Sequence, residues 1–307
     1  MRAALAQIAP LLGNLDGNLQ MHKKMIQSAI RSGCDLVAFP ELSLTGYLLQ
    51  DLVPEIALHP DKDARLRELL KLSRRIAIAV GLVEESEDHR FYNTALFLAQ
   101  GRILHRHRKV YLPTYGMFDE AREFSPGEGF SAFSTPLGKF GILICEDAWH
   151  PSSAYLLARD GADYLLVLSS GPSRGVGSGR ELFSTSSWTD LCRVTARFQT
   201  VFVAYVNRVG VEDGMHFSGA SFLADPFGEV THRARELQET LLLTTLSRTR
   251  LRRARTQFPL LRDERPDLVL KELGRITGWD RKLRQAPGET RGRAQRPEIV
   301  LARGRLG

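Results

Sequence analysis

Three segments of the chain each place a reactive side chain at the end of a strand-like run. Glu41 and Cys145 each follow an apolar run, over residues 35–39 and 141–144, and Lys109 closes a segment of basic and aromatic residues. Side chains at strand ends face the loops and clefts where binding and catalysis are concentrated. Two carboxylates and a Trp follow Cys145, which is unusual for a cysteine packed as a small hydrophobe. A carboxylate, an amine and a thiol therefore form a candidate catalytic set.

The chemistry available to this set is acyl transfer through a thioester. A free thiol titrates near pH 8.5, so Cys145 needs help to act as a nucleophile at neutral pH. Glu41 could remove the thiol proton as a general base and return it to a leaving amine. Lys109 could stabilise the oxyanion that develops on the attacked carbon–nitrogen group. No cofactor or metal is needed for these steps, and a mechanism based on His105, His107 or His150 has less support from the sequence.

The bulk composition is that of a soluble globular protein. The chain has 307 residues, of which 43% are hydrophobic and 25% are charged. We expect no membrane span, because no run approaches the ~18 apolar residues that a span needs. The N-terminus is predicted to be a strand rather than a signal peptide. Three cysteines are too few for a disulfide framework, which favours a reducing, cytoplasmic location.

The net charge of +7 arises in the C-terminal segment. Residues 250–307 contain 16 Lys and Arg against 7 Asp and Glu. Without an aromatic pattern or a motif, this excess predicts solvated charge and no nucleic-acid binding. Asp267 and Gly274 flank apolar residues at helical spacing, which predicts a helix that packs on its own domain or crosses to a partner subunit. From about residue 283 the Gly, Pro and Arg content predicts disorder.

Short apolar runs alternate with amphipathic segments, a pattern that is typical of an α/β protein. Gly33 and Gly161 are expected to end the first and third helices. A hairpin is predicted over 217–232, with one strand over 217–223. The other predicted strands are 2–8, 35–39, 76–82, 94–98, 139–145, 163–168 and 201–207, and the predicted helices are 15–32, 64–74, 152–160 and 181–198.

The segments 39–47, 108–113 and 141–147 together resemble the three signature blocks of the nitrilase (carbon–nitrogen hydrolase) superfamily. The similarity extends in order from the N-terminus to about residue 246. It implies that Glu41, Lys109 and Cys145 form the catalytic triad of that family. It also implies an α/β fold, a four-layer αββα sandwich that usually pairs into a homodimer or higher homo-oligomer. The expected organisation is a hydrolase domain over 1–250 with a C-terminal extension over 251–307.

The resemblance implies a fourth catalytic residue. The segment 118–124 is similar to the loop after the lysine, where family members carry a glutamate that positions the substrate or the lysine. Glu120 is the preferred candidate and Glu123 is its rival.

Within the superfamily, the chain is most similar to the glutaminase domain of glutamine-dependent NAD synthetases. This resemblance implies that Tyr47, Tyr115, Glu146 and Trp149 contact the substrate. The segment after the predicted strand 163–168 departs from the glutaminase pattern Asn-Ala-Ser-Pro, because Ser169 stands for the Asn and Gly171 for the Ser. Ser173 and Arg174 are candidates to compensate.

Three functions follow as alternatives. The first is a stand-alone hydrolase of a small linear amide. The second is a glutaminase component that supplies ammonia to a separate synthetase, because no ATP-binding synthetase domain is expected within 307 residues. The third is an interaction protein with the same fold and no turnover, against which the intact Glu41, Lys109 and Cys145 argue.

Several other residues have structural interpretations. The glycines of the segment 175–180 lack dinucleotide-binding spacing, so a loop bordering the active site is favoured. Arg180 could contact a substrate carboxylate, although a surface ion pair is commoner. His105 and His107 are predicted to lie on a solvated strand face rather than to bind a metal. Cys34 and Cys192 are predicted to be packed thiols.

Overall fold

The computed structural model describes residues 1–175 and 182–278. Within these residues the strands form two six-stranded sheets and a two-stranded ribbon. The strands in chain order are β1 (Arg2–Gln7), β2 (Leu36–Ala38), β3 (Ala77–Glu85), β4 (Phe91–Ala99), β5 (Arg102–Arg108), β6 (Phe133–Thr135), β7 (Gly138–Ile144), β8 (Tyr164–Ser169), β9 (Phe202–Asn207), β10 (Val209–Glu212), β11 (Met215–Ser218), β12 (Phe222–Ala224), β13 (Val230–Arg233) and β14 (Thr240–Thr245).

The helices lie mainly between strands, as the sequence pattern predicts. They are α1 (Leu15–Arg31), α2 (Val53–Ile56), α3 (Ala64–Leu72), α4 (Glu120–Glu123), α5 (Pro151–Arg159), α6 (Phe183–Gln199), α7 (Arg248–Gln257), α8 (Leu260–Asp263) and α9 (Pro266–Thr277). The Asn14 side chain caps α1 by accepting from the backbone N–H of Gly17, and Asp63 caps α3 in the same way. Gly33 follows α1 with a positive φ of 67°, the left-handed conformation that commonly ends helices.

The two sheets have similar strand orders. The first sheet has the order β14-β1-β2-β3-β4-β5, in which β1, β2 and β3 are parallel. The second has the order β13-β12-β9-β8-β7-β6, in which β7, β8 and β9 are parallel. The carboxyl ends of parallel strands meet at one edge of a sheet. Chemistry-bearing residues after β2 and β7 are therefore brought to such edges.

The two faces of the first sheet bury different cores. Along β1, Ala3 and Leu5 pack in a cluster with residues of the second sheet, whereas Ala4 and Ala6 pack in a cluster with α1 and α3. The alternation follows from the two-residue period of a strand. Helices α5 and α6 contribute buried residues to the cluster of the second sheet. Two sheets with helices associated with each is the arrangement expected of an αββα fold.

The predicted strand over 217–223 is wrong, because the chain breaks there into β11 and β12. Gly219 and Ala220, between the two strands, both have positive φ values of 77° and 57°. A left-handed conformation at two successive residues cannot continue a strand. β11 therefore pairs with β10, while β12 pairs with β13 in the hairpin that the sequence predicts.

Chain contacts divide the protein into a unit Met1–Arg262 and a unit Asp263–Gly307. The described part of the second unit contains α9, which confirms the predicted helix. The helix continues through Gly274 and ends before Gly278, whose φ is 66°. None of the helices in the described part of the chain has the length and hydropathy that a bilayer-spanning segment needs. The predictions for Arg180 and for the residues after 283 lie outside the described residues.

Candidate active site

Glu41 lies in the turn that follows β2 and is buried. The turn can approach β3 closely because residue 81 is a glycine: a Cβ there would lie 2.4 Å from the backbone nitrogen of Leu42 and 2.8 Å from the carbonyl oxygen of Pro40. A side chain at position 81 would thus push the glutamate segment away from the sheet. The glycine at position 81 of β3 therefore helps to position Glu41, because it lets the turn lie against the strand.

Lys109 directly follows β5 and joins two glutamates. Its Nζ donates to Glu41 Oε1 at 2.8 Å and to Glu120 Oε1 at 2.7 Å, and the lysine side chain is wholly buried. Burial acts to lower the pKa of Lys109, but Glu120 and Glu41 raise it well above its usual value. Lys109 is therefore a fixed positive charge inside the protein.

The carboxylate of Glu41 has further partners that orient it. Asn93 Nδ2 donates to Oε1 at 2.8 Å, and the backbone N–H of Ser170 donates to Oε2 at 2.7 Å. The preceding residue, Ser169, places its Oγ 3.4 Å from Cys145 Sγ. Two consecutive residues at the end of β8 thus contact the glutamate and the cysteine. This arrangement brings together the three side chains that the sequence singles out.

Cys145 is the first residue after β7 and begins a 3₁₀ turn, Cys145–Trp149. Its φ of 45° is in the left-handed region, which is uncommon for a residue other than glycine and is concentrated at functional sites. Burial raises the pKa of the Cys145 thiol well above its usual value, as does Glu41, while Lys109 acts to lower it. The resting thiol is therefore protonated, and a base must take its proton when it reacts.

The two candidates for the fourth catalytic residue have different surroundings. Glu120 is buried and contacts Lys109, whereas Glu123 pairs with Arg122 at 3.4 Å. Burial raises the pKa of Glu120 to about 7, against the lowering effect of Lys109. Tyr47 donates its hydroxyl hydrogen to Glu120 Oε1 at 2.7 Å. This hydrogen bond places Tyr47 beside the charged cluster. Tyr47 and Glu120 both line a cleft of about 610 Å³.

A separate cavity of about 150 Å³ opens on Cys145. Four of the predicted substrate-binding residues line it: Tyr115, Glu146, Trp149 and Arg174. The Tyr115 hydroxyl donates to Glu146 Oε2 at 2.9 Å, and Trp149 packs edge-on against Trp188 with 5.2 Å between ring centroids. The cavity is therefore small and largely aromatic, with one carboxylate beside the nucleophile.

Arg174 contributes a basic side chain to the wall of this cavity. Its guanidinium lies 4.6 Å from the ring centroid of Phe118. Its Nε and Nη2 are buried and have no hydrogen-bond partner among the described residues. Ser173 is oriented differently: its backbone N–H donates to the carbonyl of His216 at 2.8 Å, and its Oγ is buried without a described partner.

Gly171 forms part of the cavity wall, and its surroundings leave little room for a side chain. A Cβ at this position would lie 2.9 Å from Trp188 Nε1, 3.1 Å from the Tyr205 hydroxyl and 3.2 Å from Ser169 Oγ. Trp188 can therefore pack this closely only because residue 171 has no side chain. The serine of the glutaminase pattern would therefore be crowded at this position.

The prediction that His107 lies on a solvated strand face is wrong. His107 is 4% exposed, and its Nε2 lies 2.9 Å from Asp147 Oδ2. His105 is partly buried and stacks on Phe133 with 4.1 Å between ring centroids. The error arose because the partners lie far away in sequence. Among the described residues, no three His, Cys, Asp or Glu side chains are grouped as a metal site.

Sequence reasoning missed several residues that contact the triad. Asn93, Ser169 and Ser170 hold Glu41 and Cys145, and Trp188 lines the cavity. The position of Ser169 and Ser170 at the end of a predicted strand was a usable signal. Asn93 and Trp188 lie inside a strand and a helix, where nothing local indicates a role. Cys34 and Cys192 are buried free thiols, as predicted.

Comparisons with known proteins agree with this geometry. Residues 2–256 match the profile of the carbon–nitrogen hydrolase family. A solved structure of a carbon–nitrogen hydrolase from Helicobacter pylori superposes with a TM-score of 0.78 at 25% identity, covering 89% of this chain and 98% of that one. The chain therefore belongs to the carbon–nitrogen hydrolase family, whose fold is that of the nitrilase superfamily, and it is a hydrolase.

Curated relatives include both kinds of protein that the sequence suggests. The glutamine-dependent NAD(+) synthetase of Acinetobacter baylyi is 34% identical over 243 residues, which are 78% of this chain and 43% of that protein. The N-carbamoylputrescine amidase of Solanum lycopersicum is 27% identical over 267 residues, 82% of this chain and 88% of that protein. The chain thus spans less than half the length of the synthetase relative and most of the length of the amidase.

Proposed function

We propose that the protein hydrolyses a small linear amide and releases ammonia through a thioester on Cys145. The observation that carries this proposal is the buried ion pair of Glu41 and Lys109, held at 2.8 Å beside a cavity that opens on Cys145. The volume of about 150 Å³ lies below the range of most ligand pockets, which favours a small substrate.

Acylation follows from the charges of the site. Sγ of Cys145 attacks the amide carbon while Glu41 takes the thiol proton. The oxyanion that forms is stabilised by Lys109, which is already charged and needs no reorganisation. The C–N bond then breaks, and the proton held by Glu41 passes to the nitrogen, which leaves as ammonia.

Deacylation reuses the same base. Water attacks the thioester carbon, Glu41 accepts a water proton, and the C–S bond breaks to release the carboxylic acid. The proton returns to the sulfur and restores the neutral thiol. Glu120 keeps Lys109 in place through both half-reactions, because its Oε1 accepts a hydrogen bond from Nζ at 2.7 Å.

The test is ammonia release from a panel of amides, with two matched cysteine variants. Cys145→Ala should abolish turnover, whereas Cys192→Ala removes another buried thiol, in α6, and should leave turnover within about twofold. Intact mass after rapid acid quenching should show an acyl adduct in the unsubstituted protein. Turnover that persists in Cys145→Ala would contradict the proposal, as would the absence of turnover on every amide in the panel.

A second candidate substrate is glutamine or another ω-amide amino acid. Arg174 offers two buried N–H groups without described partners, and Glu146 offers a carboxylate on the same cavity. A guanidinium and a carboxylate are suited to the carboxylate and the ammonium of a zwitterion. The relation to the synthetase of Acinetobacter baylyi supports this candidate, with ammonia passing to a separate synthetase as its purpose.

Paired substrates distinguish the two candidates. Glutamine and butyramide present similar amide ends, but only glutamine carries the two charges that Arg174 and Glu146 could bind. Arg174→Met should raise KM for glutamine at least tenfold and leave kcat/KM for butyramide within about threefold. Equal effects on both substrates, or better turnover of butyramide by the unsubstituted protein, would favour a simple amidase. Stimulation of glutamine turnover by an added NAD synthetase domain would support the ammonia-supplying role.

A further inference from the structure

One buried carboxylate, Asp147, accepts hydrogen bonds from the two segments that carry Lys109 and Cys145. Its Oδ2 accepts from the backbone N–H of Ile144 at 3.0 Å, directly before Cys145. Its Oδ1 accepts from the backbone N–H groups of Val110 and Tyr111, each at 3.0 Å, directly after Lys109. The residue is fully buried. The two segments belong to different sheets, so Asp147 bridges them at the ends that carry the chemistry.

His107 completes this bridge. It lies near the end of β5, two residues before Lys109, and its Nε2 is 2.9 Å from Asp147 Oδ2. An ionised carboxylate can only accept, so Nε2 of His107 carries the hydrogen. Asp147 thus accepts four hydrogen bonds: one from the nucleophile segment and three from the lysine segment. Hydrogen bonds to a charged group are stronger than neutral ones, and in a buried site they fix geometry.

We propose that Asp147 and His107 are positioning residues that set the distance between the Cys145 sulfur and the Lys109 ammonium. Neither residue lines the Cys145 cavity, so their effect is exerted through the backbone on either side of the reacting groups. The inference rests on the proposed thioester chemistry for its catalytic meaning. Small displacements of reacting groups lower rates steeply, and about 1 Å can lower a rate roughly 100-fold.

β5 supplies a matched control for His107. His105 lies on the same strand, two residues away, and stacks on Phe133 without contacting Asp147. His107→Leu should lower kcat roughly 10- to 100-fold and leave KM within about twofold, since substrate contacts are untouched. His107→Gln keeps an N–H near the position of Nε2 and should recover most of kcat. His105→Leu should leave kcat within about threefold.

Asp225 supplies a matched control for Asp147. It is also fully buried, and its Oδ1 accepts from two backbone N–H groups, those of Phe227 and Glu229, in the turn between β12 and β13. Asp147→Asn and Asp225→Asn should both lower the melting temperature, whereas only Asp147→Asn should lower kcat. If Asp225→Asn lost as much kcat as Asp147→Asn, general destabilisation would explain the kcat loss of both variants, and the inference would be overturned.

A second measurement needs no amide turnover. The rate of Cys145 alkylation by iodoacetamide, followed by intact mass with Cys145→Ala as the background, reports on the surroundings of the sulfur. We expect this rate to differ at least threefold between His107→Leu and His105→Leu. If the unsubstituted protein hydrolyses no amide but this difference is present, the proposed function fails and the positioning role stands. If turnover is present and both His variants match the unsubstituted protein in kcat and alkylation, the positioning role is overturned.

Discussion

Lys109 Nζ lies 2.8 Å from Glu41 Oε1, although the two residues are 68 positions apart and both side chains are wholly buried. A buried ion pair is weak evidence for stability, because desolvation of the two charges can exceed their attraction. Here a third group, Glu120, also contacts the lysine. The cluster is therefore better explained by the chemistry beside Cys145 than by a contribution to folding.

Glu41→Gln should block acylation while leaving the fold intact. The glutamine is nearly the same size, and its oxygen can still accept from Lys109, Asn93 or Ser170. It cannot accept the thiol proton, and the raised pKa of Cys145 leaves little thiolate to react without a base. We expect kcat to fall at least 100-fold, with no acyl adduct detected by mass. A cooperative melting transition and an unchanged circular dichroism spectrum are the control for the fold, because the glutamine NH2 group must face one of the three donors and lowers stability in part. A Gln variant with a normal acylation rate would exclude Glu41 as the base.

Lys109→Met should reduce both activity and stability. Loss of an oxyanion partner lowers rates by about 10²–10³-fold. Removing one member of a buried charged cluster also leaves carboxylates without a counter-charge, an effect of about 3–5 kcal/mol on the free energy of unfolding. Initial rates and urea unfolding measure the two effects separately.

A double variant distinguishes the two roles of Lys109. Adding Glu120→Gln to Lys109→Met removes one of the uncompensated carboxylates, so unfolding free energy should recover in part while kcat stays low. If kcat recovered together with stability, the activity loss in Lys109→Met would be a folding defect. Near-full activity of Lys109→Met alone would remove the lysine from the mechanism.

How far the sequence predicts this site is best judged from single residues. Glu41, Lys109 and Cys145 could be identified because each follows a strand-like run within a recognisable block. The hydrogen bond between His107 and Asp147 could not be predicted in this way. The periodicity of β5 indicates which residues share a face of the strand, but it does not identify a partner 40 residues away. The break between β11 and β12 was missed for a related reason: Gly219 lies against Gln7, a residue far away in sequence, and a Cβ there would be 2.4 Å from Gln7 Cδ.

Gly171→Ser should impair catalysis, although serine is the residue of the glutaminase pattern at this position. Its Cβ would meet Trp188 Nε1 and Ser169 Oγ at 2.9 and 3.2 Å, and Ser169 is the residue that contacts the Cys145 sulfur. We expect kcat/KM to fall at least tenfold for all amides. Gly129→Ser is the control, because a Cβ at that position meets nothing within 4 Å.

The companion change to Gly171→Ser is a smaller residue at 188. Gly171→Ser with Trp188→Phe gives the new side chain room and should restore part of the lost kcat/KM, with a larger recovery for glutamine if the serine contacts that substrate. Wild-type activity of Gly171→Ser alone would show that the close packing of Gly171 and Trp188 has no bearing on the site.

The free energy of unfolding should decrease as the pH falls, because of His22. This residue is buried in α1 between the carbonyl of Asn18 and the hydroxyl of Ser43. Burial lowers the pKa of His22 from 6.5 to about 4. The unfolded state therefore binds a proton that the folded state does not between these values. The stabilising effect of a neutral His22 is complete above about pH 6.5 and is lost as the pH falls towards about 4, a change of about 3 kcal/mol.

Urea unfolding of the unsubstituted protein and of His22→Gln, at about pH 7.5 and about pH 4, tests this linkage. Glutamine does not titrate, so the difference in unfolding free energy between the two proteins should change by about 3 kcal/mol across this range. The pKa of His105 is also lowered to about 4 by burial, but its effect is common to both proteins and cancels in the difference. Parallel pH curves for the two proteins would mean that His22 is solvated or already protonated in the folded state. Because Ser43 lies two residues after Glu41, a loss of activity on acidification that is smaller in His22→Gln would link this titration to the active-site turn.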